Sequence, residues 1–159
     1  MSLAPDPVPR PLDSLIERGE SGAPALVLRG HTLSYAGLRE RVALLAGWLA
    51  SRAAPGERVA SWAAKGELTC LLPLAAARAG LVHVPINPLL KHSQAAHILA
   101  DSGAVLLAGT GSRLKSLGEG DIPEVCELFE ESEALAEAEA LASSLPASTR
   151  DPHELAAIL

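Results

Sequence analysis

The run from 74 to 109 limits the fold more than any other part of the chain. It places two short, wholly apolar segments, 81–86 and 104–108, on either side of an amphipathic stretch at 92–101. A strand loses the alternation of apolar and polar residues when neither of its faces meets water. Two such strands joined by a helix form a parallel pair in a sheet covered on both sides, with a right-handed crossover. Asn87-Pro88 closes the first strand as a turn, because Pro88 drives Asn87 into an extended conformation. The region is expected to be a βαβ unit.

The flanking sequence continues that alternation. Residues 1–11 contain Pro5, Pro7, Pro9 and Pro11 and predict an extended lead-in, since proline lacks the donor a helix or a central strand requires. A short helix over 12–18, with Asp13 or Ser14 near its start, stops at Gly19. Segments 25–29 and 32–34 form a hairpin about Gly30-His31. Ser34 then caps a helix whose stripe of Leu38, Val42, Leu45 and Leu49, widened by Leu44 and Trp48, reaches about residue 53. After a turn at Pro55-Gly56 come a strand at 59–63 and a helix at 67–79. That helix is apolar nearly all round and hence buried, with Pro73 inside it. Beyond 109 the pattern is fainter: a short helix within 109–117, a strand within 123–129 and a helix within 130–144. The expected architecture is α/β, a layered and mainly parallel sheet with helices on both faces, preceded by a small β-hairpin. The domain spans 12–145, 146–153 is a polar linker, and 154–159 starts a strand that reads as truncated.

Composition narrows the function. The 159 residues are 48% hydrophobic and 20% charged, as in one globular domain or a piece of a larger one. A net charge of −6 with scattered Lys and Arg disfavours nucleic acid and anionic membrane surfaces as partners. No apolar run approaches the ~20 residues that span a bilayer. The first ten residues lack the basic start and apolar core of a secretory signal, so the expected location is cytoplasmic. Cys70 and Cys126, without CxxC spacing, read as buried inert thiols.

Few residues invite a chemical role. Gly109-Thr110-Gly111 follows a strand, but Gly118 falls too late for a dinucleotide fingerprint, so the run reads as a turn and cap. His83, His92 and His97 share no helix face and are structural or surface residues. Ser14, Ser34 and Ser61 lack a nucleophile elbow. Glu130, Glu131, Glu133, Glu137 and Glu139 form a solvated row rather than a converging cation site. Lys91 reads as an exposed, solvated lysine. Asn87-Pro88 stands at the carboxyl end of a strand, where open α/β sheets bind ligands, yet it reads first as a turn. No catalytic, cofactor-binding or metal-ligating residue is assigned.

Arg78-Ala79-Gly80 leading into Val84-Pro85-Ile86-Asn87-Pro88 resembles the second core motif of the adenylate-forming (AMP-dependent) synthetase and ligase superfamily. The superfamily contains acyl-CoA synthetases, luciferases and nonribosomal-peptide adenylation domains. Leu89-Leu90-Lys91, Gln94 and His97-Ile98-Leu99-Ala100-Asp101-Ser102 sharpen the likeness to bacterial acyl-CoA ligases of the exosortase-associated type. Leu33-Ser34-Tyr35-Ala36-Gly37-Leu38 and Gly56-Glu57-Arg58-Val59-Ala60 resemble earlier core segments. The run from Asp151 to Leu159 is similar to the one preceding the family's Ser/Thr/Gly-rich phosphate loop.

The resemblance implies the N-terminal part of an enzyme that activates a carboxylic acid with ATP and Mg²⁺ as an acyl-adenylate, then transfers the acyl group to CoA. The family's nucleotide-binding motifs are not in these 159 residues. No cofactor is therefore expected on this chain, which should be inactive alone. Its expected partners are the rest of the ligase and, through uncovered apolar surface, copies of itself. Gly80, Pro85, Asn87 and Pro88 carry over as structural signature residues only. The alternative is a self-contained α/β binding or regulatory module, receiver-like or flavodoxin-like, without catalysis.

Overall fold

The computed structural model describes residues 8–159; residues 1–7 of the expected lead-in lie outside them. A 3₁₀ helix covers Leu12–Arg18. The hairpin pairs β1 (Pro24–Leu28) with β2 (His31–Ser34) in antiparallel fashion. Then follow α1 (Tyr35–Ala50), β3 (Arg58–Trp62), α2 (Glu67–Ala79), β4 (Val82–Pro85), α3 (His92–Ser102) and β5 (Ala104–Gly109). The chain continues through α4 (Gly111–Leu114), β6 (Glu127–Glu130) and α5 (Glu131–Leu141).

Strands β4, β3, β5 and β6 lie side by side in that order, and every pair is parallel. The two strands of the 74–109 unit are thus parallel members of one sheet but not neighbours. β3 sits between them, with Val59 opposite both His83 and Leu106. Val59, Ala60, Ser61 and Trp62 are all buried, so the strand with no face to spare for water takes the middle of the sheet. The α3 crossover accordingly passes over two strand spacings, about 10 Å.

One apolar layer packs α1, α2 and α5 against one face through Val42, Leu45, Leu49, Leu71, Leu72 and Ala138. The other face is covered by α3 and the loop before β6, around Trp62, Ile86, Leu99 and Leu107. Beyond β4 the terminal segment continues the sheet. Ala157 bridges His83 in parallel, His83 N–H donates to Ala156 O, and Ile158 N–H donates to His83 O, each at 2.9 Å.

Local signals explain the element ends. Ser34 Oγ accepts from Gly37 N–H at 3.2 Å and starts α1. Gly80 ends α2 with φ +75°, a conformation that glycine adopts without a Cβ penalty. Its carbonyl accepts from Gly56 N–H at 2.8 Å, and a Cβ there would stand 2.8 Å from the Arg150 guanidinium carbon.

Several sequence expectations need correction. The 12–18 helix is a 3₁₀ helix without a side-chain cap, and Asp13 in its first turn is buried against Arg78. Cys126 precedes β6 rather than lying within it, because the loop from 115 to 126 takes up residues that the apolar pattern assigned to a strand. The acidic row on α5 is not simply solvated. Glu137 accepts from Trp48 Nε1–H at 2.9 Å and from Arg52 Nη2–H at 2.6 Å, while Glu139 pairs with Arg41 at 3.1 Å. Packing α5 on α1 brings those cations alongside, which no spacing within α5 reveals.

The 146–153 run carries no helix or strand, yet it is tied to the domain at its edges. Leu145 N–H donates to Ala43 O at 3.1 Å and Ser148 N–H to Asp13 Oδ2 at 2.9 Å. That route passes directly over Gly47, where a Cβ would overlap the Ser143 carbonyl. Gly47→Ala is expected to destabilise the fold by about 1–3 kcal/mol, the usual cost of overfilling a packed contact. Urea denaturation midpoints of the two proteins check this; an unchanged midpoint would show that the 142–145 segment moves aside freely.

Candidate functional site at the carboxyl edge of the sheet

In an open parallel sheet, the strands' carboxyl ends splay apart where the winding reverses, leaving a crevice. Here the chain runs from β3 to β4 on one side, then crosses to β5 on the other, so the reversal lies between β3 and β5. Thr110 N–H donates to Trp62 O at 3.3 Å and holds the two strand ends together at that point.

The Asn87-Pro88 turn stands beside it. Ile86 N–H donates to Ser61 O at 2.8 Å, after which the chain leaves the sheet. Asn87 Oδ1 accepts from Leu89 N–H at 2.9 Å, and Leu90 N–H donates to Asn87 O at 3.0 Å, so the side chain builds its own turn. Arg113 then clamps it. Its Nε–H and Nη2–H both donate to Pro88 O, at 3.1 and 3.0 Å, and Nη1–H reaches Thr110 Oγ1 at 3.3 Å. Thr110 Oγ1–H donates onward to Glu131 Oε1 at 3.0 Å. A cleft of about 410 Å³ opens here, lined by Trp62, Pro88, Leu90, Lys91, His92 and Arg113 among others.

The signature residues are therefore divided. Asn87 and Pro88 are at the carboxyl edge, and Pro85 ends β4 opposite Ser61. Gly80 is at the opposite edge, where α2 turns back into β4. Gly109-Thr110-Gly111 opens a helix of four residues, and a Cβ on Gly111 would run into the Glu130 carboxylate. A carboxylate in that place opposes a phosphate, which agrees with the turn-and-cap reading. Arg113 and Trp62 escaped the sequence reading; a cation three residues past a strand-end Thr was the available signal.

The histidines are in different surroundings. His83 is buried on β4 with Nε2 2.9 Å from Ser61 Oγ, and burial lowers its pKa from 6.5 to about 4. His92 is exposed and sits with Nδ1 3.1 Å from Asp121 Oδ2. The Gly118 N–H, with His92 as a lesser cause, holds the Asp121 carboxyl below its usual range. Burial, reinforced by Glu127, pushes the Cys126 thiol up to about 11, which keeps it protonated and unreactive at neutral pH.

The residues present do not fit ATP and Mg²⁺. Among the described residues there is no cluster of three or more His, Cys, Asp or Glu placed to hold a metal, and the one glycine-flanked strand end is faced by a carboxylate. No helix among them is long and apolar enough to cross a membrane.

Comparison with known proteins adds the following. Residues 16–159 match the family described as AMP-binding enzyme. The chain is 40% identical over 101 residues to an N-(5-amino-5-carboxypentanoyl)-L-cysteinyl-D-valine synthase of Amycolatopsis lactamdurans, covering 60% of this chain and 3% of that protein. It is 36% identical over 105 residues to an L-proline–[L-prolyl-carrier protein] ligase of Pseudomonas fluorescens, covering 64% and 20%. Among solved structures, a benzoate CoA ligase from Burkholderia xenovorans superposes with a TM-score of 0.80 at 22% identity, over 92% of this chain and 31% of that one. At that identity the likeness is one of fold. The chain spans one fifth or less of the length of these two curated relatives.

Proposed function

Because this chain belongs to the AMP-binding enzyme family, we propose that it forms the N-terminal subdomain of a ligase that activates a carboxylic acid with ATP and Mg²⁺ and passes the acyl group to CoA. The match over residues 16–159 carries this reading, and it favours a ligase over a self-contained module. In such a ligase the 12–145 unit is scaffold, 146–153 connects, and 154–159 enters the next strand; the bridge between Ala157 and His83 supports that last step. Gly80, Pro85, Asn87 and Pro88 serve it structurally, as helix stop, strand end and turn. Nucleotide neutralisation, the dominant requirement of adenylation, falls to residues outside this chain. A second reading replaces CoA with a carrier-protein thiol, the acceptor in the printed name of the Pseudomonas relative.

ATP–pyrophosphate exchange tests the proposal. The 159-residue chain alone is expected to give background only, whereas the same chain joined to the rest of its ligase should show carboxylate-dependent exchange. Turnover by the chain alone would end the claim of inactivity. Silence from the joined protein across a panel of carboxylates would end the ligase reading. Offering the joined protein CoA and a carrier protein in parallel distinguishes the acceptors.

The cytoplasm, where CoA and ATP are at hand, is the location this reading requires. Leu155, Ile158 and Leu159 are exposed along the sheet edge, and such apolar edges favour association. Sedimentation velocity on the chain alone should show dimers or larger species growing with concentration; a single monomeric boundary throughout would count against it.

A further inference from the structure

The stretch after α5 is fastened to the domain at two separated places. Among the described residues 146–159 none is buried, and Ser148, Ala156 and Ala157 alone are half-buried. Those three mark the fastenings. Ser148 N–H donates to Asp13 Oδ2 at 2.9 Å. Further along, His83 N–H donates to Ala156 O and Ile158 N–H to His83 O, each at 2.9 Å. Between these points the segment arches over a hollow of about 270 Å³, with Leu12, Gly80 and Leu81 on the domain side and Pro152 and Leu155 on the other. The arch is braced from within. Arg150 N–H donates to Ser148 Oγ at 3.2 Å, His153 N–H to Asp151 Oδ1 at 2.9 Å, and the Arg150 guanidinium to Glu154 Oε2 at 2.7 Å.

The edge of β4 keeps the second fastening slight. Along this strand the backbone groups turn alternately to the two sides: Val82 N–H meets Glu57 O toward β3, His83 N–H meets Ala156 O on the outer side, and Ile86 N–H returns to Ser61 O. By the same alternation Pro85 faces outward, and proline has no N–H to give. A parallel partner is therefore held there through His83 alone. Lifting the segment away breaks those two edge hydrogen bonds and the one to Asp13, exposes little apolar surface, and leaves both faces of the sheet packed. Regions with so few buried contacts open at free energies well below that of global unfolding. Leu145 sets the limit of such an opening, since its N–H donates to Ala43 O and its side chain packs against the core. Pro146 follows it.

We propose that residues 146–159 form a strap that opens as one body about Pro146 while the rest of the sheet stays folded, with the Ser148–Asp13 hydrogen bond as its catch. Closed, the strap occupies the outer edge of β4. Open, it presents the His83 N–H and C=O to whatever strand comes next to that edge. The strap is a property of the 159-residue chain and does not depend on the adenylation reading, so each can fail without the other.

The test is amide hydrogen exchange on the ¹⁵N-labelled chain, followed residue by residue in buffer and in urea below the unfolding transition. The His83 and Ile158 amides are expected to exchange together, about a hundredfold or more faster than those of Val59 and Ala60 at the centre of the sheet. Low urea should leave their rates nearly unchanged, because the opening exposes little surface, while the rates of Val59 and Ala60 climb with it. Ser148→Pro, which removes the donor to Asp13, should speed exchange at His83 and Ile158 about tenfold, the scale of one hydrogen bond to a carboxylate. The wild-type measurement stands without any variant. His83 exchanging as slowly as Val59 would reduce the opening to fraying at Ile158 and overturn the proposal. So would His83 and Ile158 rates that climb with urea in step with β3, or rates unchanged in Ser148→Pro.

Discussion

Arg78→Met is expected to cost this domain about 3–5 kcal/mol of folding free energy, the largest effect of any single side chain considered, since it strands a buried charge. Arg78 on α2 donates through Nε–H to Asp13 Oδ2 at 2.9 Å and through Nη2–H to Glu17 Oε1 at 2.8 Å. The two side chains of the inner pair are 3% and 0% exposed. Asp13 Oδ2 also accepts the Ser148 N–H, while Oδ1 has no partner among the described residues. One arginine therefore compensates a carboxylate that water cannot reach, and it ties the 3₁₀ helix, α2 and the 148 segment together. Removing it leaves Asp13 with a single backbone donor.

The companion variants separate the penalty of a stranded charge from the worth of the pair. Asp13→Leu combined with Arg78→Met is expected to recover much of the loss, because replacing both members removes the desolvation cost along with the attraction. Urea denaturation of the two single variants and the double variant gives the coupling directly. A cost under about 1 kcal/mol for Arg78→Met would mean that the pair is solvated and that Asp13 is not sealed.

The second expectation concerns acid. His83 is held near pKa 4 in the fold by burial, against 6.5 when free. Between those values the unfolded chain takes up a proton that the folded chain refuses. Stability therefore rises with pH across this window and is lost as pH falls from about 6.5 toward 4. At about 1.4 kcal/mol per pH unit the full loss is roughly 3.5 kcal/mol. The strain would appear first at the terminal segment, because the His83 backbone holds both Ala156 and Ile158. His83→Gln, which keeps a polar group near Ser61 Oγ but cannot titrate, should flatten the dependence of the urea midpoint on pH between 4 and 6.5. Equal slopes in the two proteins would transfer the acid sensitivity to the carboxylates.

How far the primary structure reached is visible element by element. The 67–79 helix has the bounds that its continuous apolar surface predicts, and Ser34 caps α1 with its own hydroxyl. The Asn87-Pro88 turn forms through the Asn87 side chain. In each case the cause lies within a few residues, where hydrophobic period, cap chemistry and proline sterics act. The candidate site was legible only in outline: Asn87 and Pro88 sat at a strand's carboxyl end, but nothing local pointed to Arg113 or to the indole of Trp62. Those two meet Pro88 and the cleft because β5 and β3 happen to end together.

Amino-acid order alone thus determined the alternation of strands and helices, the apolar character of both sheet faces, the hairpin and the family motif around Gly80 and Pro85. Tertiary structure decided where β3 goes, and with it the point at which the winding reverses. It also joined Asp13 to Arg78 across 65 positions and Trp48 to Glu137 across 89. The physical reason is one of range. Element type follows from interactions within a turn or two of chain, whereas strand order and buried pairing follow from which surfaces lose most water when distant segments meet.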